Sequence, residues 1–154
     1  FRYGGIIRDL MKVVKKDKSL ILNFYGDGSK GIVGEMRKNA SESENIFFHG
    51  AFKNPDDLEG IYAENNINFV VYDNRLGNER VAMPNKYYES GFFNIPIIAA
   101  ENTYVGKRVI EQGMGWIIGV EQEDFSAFFA ALEMSEIIRH HEHIKELNKS
   151  LFEV

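Results

Sequence analysis

The sequence predicts a single α/β domain built on a parallel sheet with helices on both faces. Three observations carry this expectation. Residues 19–25, 45–48, 67–72, 97–100 and 116–120 are short, nearly continuous apolar runs, as expected of strands buried on both sides. Stretches with helical spacing or with helix start and stop signals separate these runs, so strand and helix alternate about five or six times with short loops. The 154 residues, 44% apolar and 13% aromatic, suffice for one real core and exclude a disordered chain.

The first helix is read from residues 6–16, where Ile6, Ile7, Leu10, Met11, Val13 and Val14 form an apolar stripe and lysines fill the other face. Gly4-Gly5 ahead of it reads as a loop whose amides could face an anion, with Arg8 one turn in. Strand 19–25 runs into Gly26-Asp27-Gly28-Ser29-Lys30-Gly31, a G-x-G-x-x-G match between a strand and a helical stretch, which is the setting of a dinucleotide fingerprint. The acid expected about 20 residues on is missing, because the next strand, 45–48, ends in His49-Gly50. A Walker-type Lys-Ser/Thr is missing too, since Ile32-Val33 follow Gly31. Residues 31–40 read as a short helix and 41–44 as a polar turn.

Asn54-Pro55-Asp56-Asp57 is a helix start, with Asn54 as cap, Pro55 at the first helical position and two aspartates complementing the dipole rather than holding a metal. That helix runs to about Glu64, and Asn65-Asn66 ends it before strand 67–72; residues 73–82 read as an irregular loop. Pro84 fits the first turn of the next helix, which the stretch from Gly91 to Pro96 breaks ahead of strand 97–100. Asn102-Thr103 can cap a helix over 104–112, closed by Gly113-Met114-Gly115 before strand 116–120. Residues 125–132 and 137–152 have amphipathic spacing, and Trp116 reads as a core or edge aromatic.

Several function classes drop out. A net charge of -5 argues against a general nucleic-acid binder, which needs a dense basic surface. The one basic cluster, Lys12, Lys15, Lys16 and Lys18, reads as a solvated helix end rather than a membrane or acidic-ligand surface. Without cysteine there is no disulfide frame, thiolate nucleophile or cysteine-bearing metal site, and a reducing compartment is compatible. Of His140, His141 and His143 only the first and last share a helix face, without a second ligand cluster, so no metal is expected. No G-x-S-x-G elbow offers a hydrolase nucleophile. No run approaches a membrane span or a signal peptide. Phe1-Arg2-Tyr3 reads like the tail of a strand whose start is missing, so residues 1–154 are expected to be one domain excised from a larger protein.

The densest chemistry lies in Met83-Pro84-Asn85-Lys86-Tyr87-Tyr88-Glu89-Ser90-Gly91, followed by Phe92-Phe93-Asn94-Ile95-Pro96-Ile97-Ile98-Ala99. Lys86 and Glu89 are three residues apart and so share a helix face. An ordinary intrahelical ion pair accounts for them at a few tenths of a kcal/mol. The wider pattern, P-x-K-x-x-E and then G-x-x-x-x-P-I-I-A, resembles the donor-site segment of GT-B glycosyltransferases, especially the family 4-like group. Other phrases agree with that resemblance: N-I-x-F-x-G at 45–50, L-x-x-I-Y-A at 58–63 and G-x-G before strand 116–120.

The resemblance implies one half of a GT-B fold: a Rossmann-like, donor-binding domain of an enzyme that moves a sugar from a UDP- or GDP-sugar to a glycan or lipid-linked acceptor. It implies that Lys86 meets the donor diphosphate and Glu89 the ribose hydroxyls, with Asn85 beside them. The loop at His49 and Gly50 would border the base, and Arg8 would stand at the phosphate-binding glycine loop. The family's first glutamate would fall at Val81, so either the loop is rearranged to bring Glu79 to the donor sugar or this member does without that carboxylate. No cofactor or metal is implied, the nucleotide sugar being a substrate. The implied partners are a missing amino-terminal Rossmann-like domain and the acceptor. The implied setting is the cytoplasm, at or near the inner face of the membrane, in surface polysaccharide synthesis. Two rival readings stand beside it, an NAD(P)- or other nucleotide-binding Rossmann module organised by Gly26, Gly28 and Gly31, and a non-catalytic α/β interaction domain.

Overall fold

A computed structural model describes residues 3–153, so the expectation for Phe1-Arg2 lies outside the described residues. The chain follows the order α1 (Gly4–Lys16), β1 (Leu22–Tyr25), α2 (Lys30–Glu42), β2 (Ile46–Gly50), α3 (Leu58–Ala63), β3 (Asn68–Val70), α4 (Gly77–Val81) and α5 (Asn85–Phe93). It continues with β4 (Ile97–Ala100), α6 (Tyr104–Gln112), β5 (Gly115–Ile118), α7 (Gln122–Ala131), α8 (Met134–Glu146) and a closing 3-10 turn (Lys149–Phe152).

All strand pairs are parallel, as alternation with helices requires. The strands form two sheets rather than one. β1 pairs with β2, with Leu22 opposite Ile46, and β3, β4 and β5 form the other sheet in that order, with Asn68 opposite Ile97 and Ile97 opposite Gly115. Burial on both faces is legible along β4: Ile98 and Ala100 join one core cluster, while Ile97 and Ala99 join the other. The first cluster takes Leu10 and Val14 of α1, Met36 of α2 and Phe125 of α7. The second takes Tyr87 of α5, Val105 and Val109 of α6, and Ile144 of α8. Helices therefore cover both faces, and the domain is α/β and Rossmann-like.

Buried Asn45 ties the first helix to the β1–β2 pair. Its Nδ2 donates to the carbonyls of Val14 at 2.8 Å, Leu20 at 3.0 Å and Asp17 at 3.1 Å, so one side chain closes the end of α1 and the turn into β1.

Five local expectations change. Helix α1 already begins at Gly4, with Tyr3 as its N-cap residue, so Gly4-Gly5 is a first helical turn and not a loop. The 54–57 stretch is a turn, with Asp57 Oδ2 accepting from the Lys53 amide at 2.7 Å, and α3 starts only at Leu58, so Asn54 caps nothing. Gly91 does not break α5, which runs on to Phe93 and stops at Asn94 in the left-handed conformation, φ 64°. Gly91 serves contact instead: a Cβ there would lie 2.1 Å from Cδ1 of Phe152, whose ring packs on α5. The 137–152 stretch is two elements, α8 and the 3-10 turn, hinged at Leu147 and Asn148. The 73–82 loop also contains the short α4.

The histidines of α8 are structural. The rings of His140 and His143 meet the carbonyls of Gly113 (3.1 Å) and Gln112 (2.9 Å) at the end of α6, and His141 meets that of Asn94 (2.6 Å) after α5. Each occupies a carbonyl that a helix end leaves free. No group of metal-ligating side chains gathers among the described residues, and among them no helix is long and apolar enough to cross a membrane.

Candidate nucleotide site between the two sheets

A cavity of about 540 Å³ lies between β1 and β3. Its walls are mostly apolar, with Ile6, Ile7 and Leu10 on the α1 side and Leu58, Ile61 and Ile95 on the other. Lys86 and Glu89 on α5 and Asp27 after β1 bring the charge.

Topology explains where they stand. Helix α5 follows the loop that leaves β3 and finishes just before β4, so it starts near the carboxyl ends of the strands and descends toward their amino ends. Lys86 occupies the first turn, and Glu89 lies about one turn deeper. That first turn contains no acidic residue to balance the positive end of the helix dipole. Lys86 is accessible to solvent, yet protein crowds it on the other sides as part of the cavity wall. This partial desolvation holds its ammonium below the ordinary lysine range, with the charge of Glu89 opposing the shift. Lysine, helix dipole and desolvation together favour an anion at this spot.

Glu89 is held from below. The Tyr62 hydroxyl donates to Glu89 Oε2 at 2.8 Å and accepts from Asn68 Nδ2 at 3.1 Å; Asn68 also donates to Ser90 Oγ at 2.8 Å. The Tyr62 ring stacks on Phe93 at 5.1 Å. Burial, and then the adjacent Glu89 charge, push the Tyr62 phenol far above its ordinary pKa, so it stays a donor at any physiological pH. Sequence reasoning missed Tyr62 and Asn68 as site residues. Asn68 was visible only as the residue standing where the resembled family usually has an aspartate.

The remaining expected residues are dispersed around this pair. Asn85 borders a smaller cavity of about 300 Å³ on the outer side of α5, which Glu89 also touches. His49 Nε2 meets Asn23 Oδ1 at 2.9 Å, and its ring stacks on Tyr25 at 4.5 Å; both partners line the large cavity, whereas His49 and Gly50 do not. Glu79 accepts from the Tyr3 hydroxyl, and Tyr3 lines the cavity. Arg8 is turned away in an ion pair with Glu35, Nε to Oε2 2.7 Å, on the outer surface. The glycine run fares differently: Ser29 is the N-cap of α2, and a Cβ on Gly31 would meet nothing within 4 Å. The third glycine of a dinucleotide fingerprint exists for close helix–strand packing, and no such packing exists here. Trp116 packs edge-on against Phe128 and His140 as a structural aromatic.

Fold and site define a Rossmann-like α/β domain with a charged cavity at its sheet. No protein-family model matches the chain, and no curated protein matches it.

Proposed function

We propose that the chain is the donor-binding domain of a GT-B glycosyltransferase, and that Lys86 and Glu89 hold the nucleotide part of a nucleotide sugar. One observation carries the reading: a cation in an unbalanced first helical turn and a carboxylate one turn below it line the same large cavity. An ammonium suits a diphosphate as a compact point charge, and Glu89, with Oε2 fixed by Tyr62, keeps acceptor capacity for ribose hydroxyls. His49 and Tyr25 offer a stacked aromatic pair beside the cavity for a base. The family resemblance of the Pro84–Ala99 segment supplies the reaction: transfer of the sugar to a glycan or lipid-linked acceptor in a cleft completed by a second, amino-terminal domain. On this reading residues 1–154 alone transfer no sugar.

The test is titration of UDP and uridine, and of the guanosine pair, into the wild type, Lys86→Ala and Glu89→Ala, in the full-length enzyme where the domain alone gives no signal. Losing either charged contact should weaken UDP roughly ten- to a hundredfold, about 1.5–3 kcal/mol. Lys86→Ala should leave uridine nearly unaffected, while Glu89→Ala weakens both ligands. Equal losses for UDP and uridine in Lys86→Ala would remove that residue from a phosphate site.

A further inference from the structure

We propose that the smaller cavity, on the outer side of α5, binds one ring of a neutral saccharide. The inference stands without the nucleotide reading, because Lys86 does not line this cavity.

The first argument is the set of side chains that α5 turns outward. Asn85, Tyr88, Glu89 and Phe92 recur at three- and four-residue spacing, so they form one stripe along the helix, and all four line the cavity. The core does not need Phe92. It is 55% exposed, whereas its neighbour Phe93 stacks on Tyr62 and packs against the cluster of Leu58, Tyr62 and Ile95. Tyr88 and Phe92 meet the rings of Tyr87 and Phe93 nearly at right angles, 89° and 85°. Neither has a parallel stacking partner among the described residues.

The second argument is the polar groups beside those rings. Asn54, which caps no helix, lines the same cavity from the turn ahead of α3. Its side-chain amide and that of Asn85 make no hydrogen bond to a described residue, and both residues are exposed. Glu89 gives Oε2 to the Tyr62 hydroxyl and keeps acceptor capacity on its other oxygen. Donors and acceptors therefore stand within one cavity wall of two aromatic rings.

This combination selects the ligand. A pyranose has apolar C–H faces and a rim of hydroxyls, so an aromatic ring suits its face while amides and a carboxylate suit its edge. An anionic ligand would meet Glu89 with no cation among the described lining residues to offset it. An apolar side chain of a partner protein would strip water from Glu89 and both asparagines and return no hydrogen bond. The cavity volume of about 300 Å³ lies at the small end of ligand pockets, which run to roughly 1,000 Å³, and so suits one ring rather than a nucleotide. Beside the proposed donor site, it gives a glycan acceptor a foothold on this domain.

The experiment is two-dimensional NMR of the chain titrated with neutral disaccharides of glucose, N-acetylglucosamine and mannose. At least one should bind saturably in the range of about 1–10 mM, with shifts confined to residues 54–58 and the outward stripe of α5. Phe92→Ala should weaken that sugar at least about tenfold and leave UDP binding unchanged, while Phe92→Tyr retains the sugar. Lys86→Ala should leave the sugar unchanged. Phe92 is half exposed, so its variants keep the fold, which the same spectra verify. No shift at these residues with any of the disaccharides would overturn the proposal, as would shifts indifferent to Phe92→Ala. Loss of the sugar in Lys86→Ala would move it to the larger cavity and overturn this site. Concentration-dependent shifts of the stripe without sugar, removed by Phe92→Ala, would overturn it in favour of a contact between chains. Failure of UDP to bind would count against the nucleotide reading alone.

Discussion

The Tyr62 hydroxyl reaches Glu89 Oε2 over 2.8 Å, a contact between the end of α3 and the middle of α5 that fixes the only carboxylate on the cavity's α5 wall. Because Tyr62 also accepts from Asn68, the start of β3 and two helices share one hydrogen-bond chain. A surface lysine–glutamate pair needs no such support. The buried phenol is the sign that the orientation of Glu89 is built in.

Tyr62→Phe should therefore act on stability and binding together. It leaves Asn68 Nδ2 with Ser90 alone and frees Glu89, while the ring keeps its stack on Phe93. A loss of about 1–2 kcal/mol in urea unfolding is expected, with weaker uridine binding and an unchanged ratio of UDP to uridine affinity. A Tyr62→Phe protein with wild-type uridine affinity would show that Glu89 needs no support from below.

Asn45 offers a second test, remote from the cavity. Its amide serves three carbonyls in a buried position. Asn45→Ala should cost about 2–3 kcal/mol by leaving them unserved. Asn45→Asp, nearly identical in shape, should cost more, because a carboxylate would face three carbonyl oxygens in place of a donor. Thermal unfolding of both variants checks the order, and an Asn45→Asp protein as stable as wild type would contradict it.

The α/β class and all five strands were legible in the sequence because each strand leaves a short apolar run bounded by turn signals, although of the five only β4 is buried along its whole length. Lys86 and Glu89 were legible as a pair from their spacing, and they do share a wall. What was not legible depended on contacts far apart in sequence. Gly91 looks like a helix breaker until Phe152 is found against it, 61 residues on. Arg8 looks free until Glu35 arrives on α2. Tyr62 looks like one more aromatic until α5 brings Glu89 to it. The division into two sheets carries no local signal, because each strand reads the same whether its neighbour is present or absent.

Gly91→Ala follows from the same contact. The added methyl would sit in the Phe152 ring, so the 3-10 turn must lift from α5. A loss of about 1–3 kcal/mol is expected, and Phe152→Ala in the same chain should relieve the clash, so the double variant should be no less stable than Phe152→Ala alone. Additive losses would mean that the ring does not bear on Gly91. The turn should not detach wholly, since Lys149 Nζ also donates to the carbonyls of Gly91 at 2.9 Å and Ile144 at 3.2 Å.

The depressed pKa of Lys86 gives the last test, and its sign is fixed. A folded-state pKa below the unfolded one means that the unfolded chain holds the proton to higher pH, so stability rises with pH through that interval. Between about pH 8 and 9, below the range where tyrosines of the unfolded chain ionise, the wild-type urea midpoint should rise. The rise should shrink in Lys86→Met without vanishing, because burial also depresses Lys149. A diphosphate beside Lys86 reverses the shift by favouring the ammonium, so UDP binding in this range should draw protons from solution and uridine binding should not. Calorimetry in two buffers of different ionisation enthalpy reads that uptake directly, and Lys86→Met should abolish the difference between the ligands. Proton uptake by UDP that survives in Lys86→Met would place the phosphate-linked proton on another group and separate Lys86 from the diphosphate.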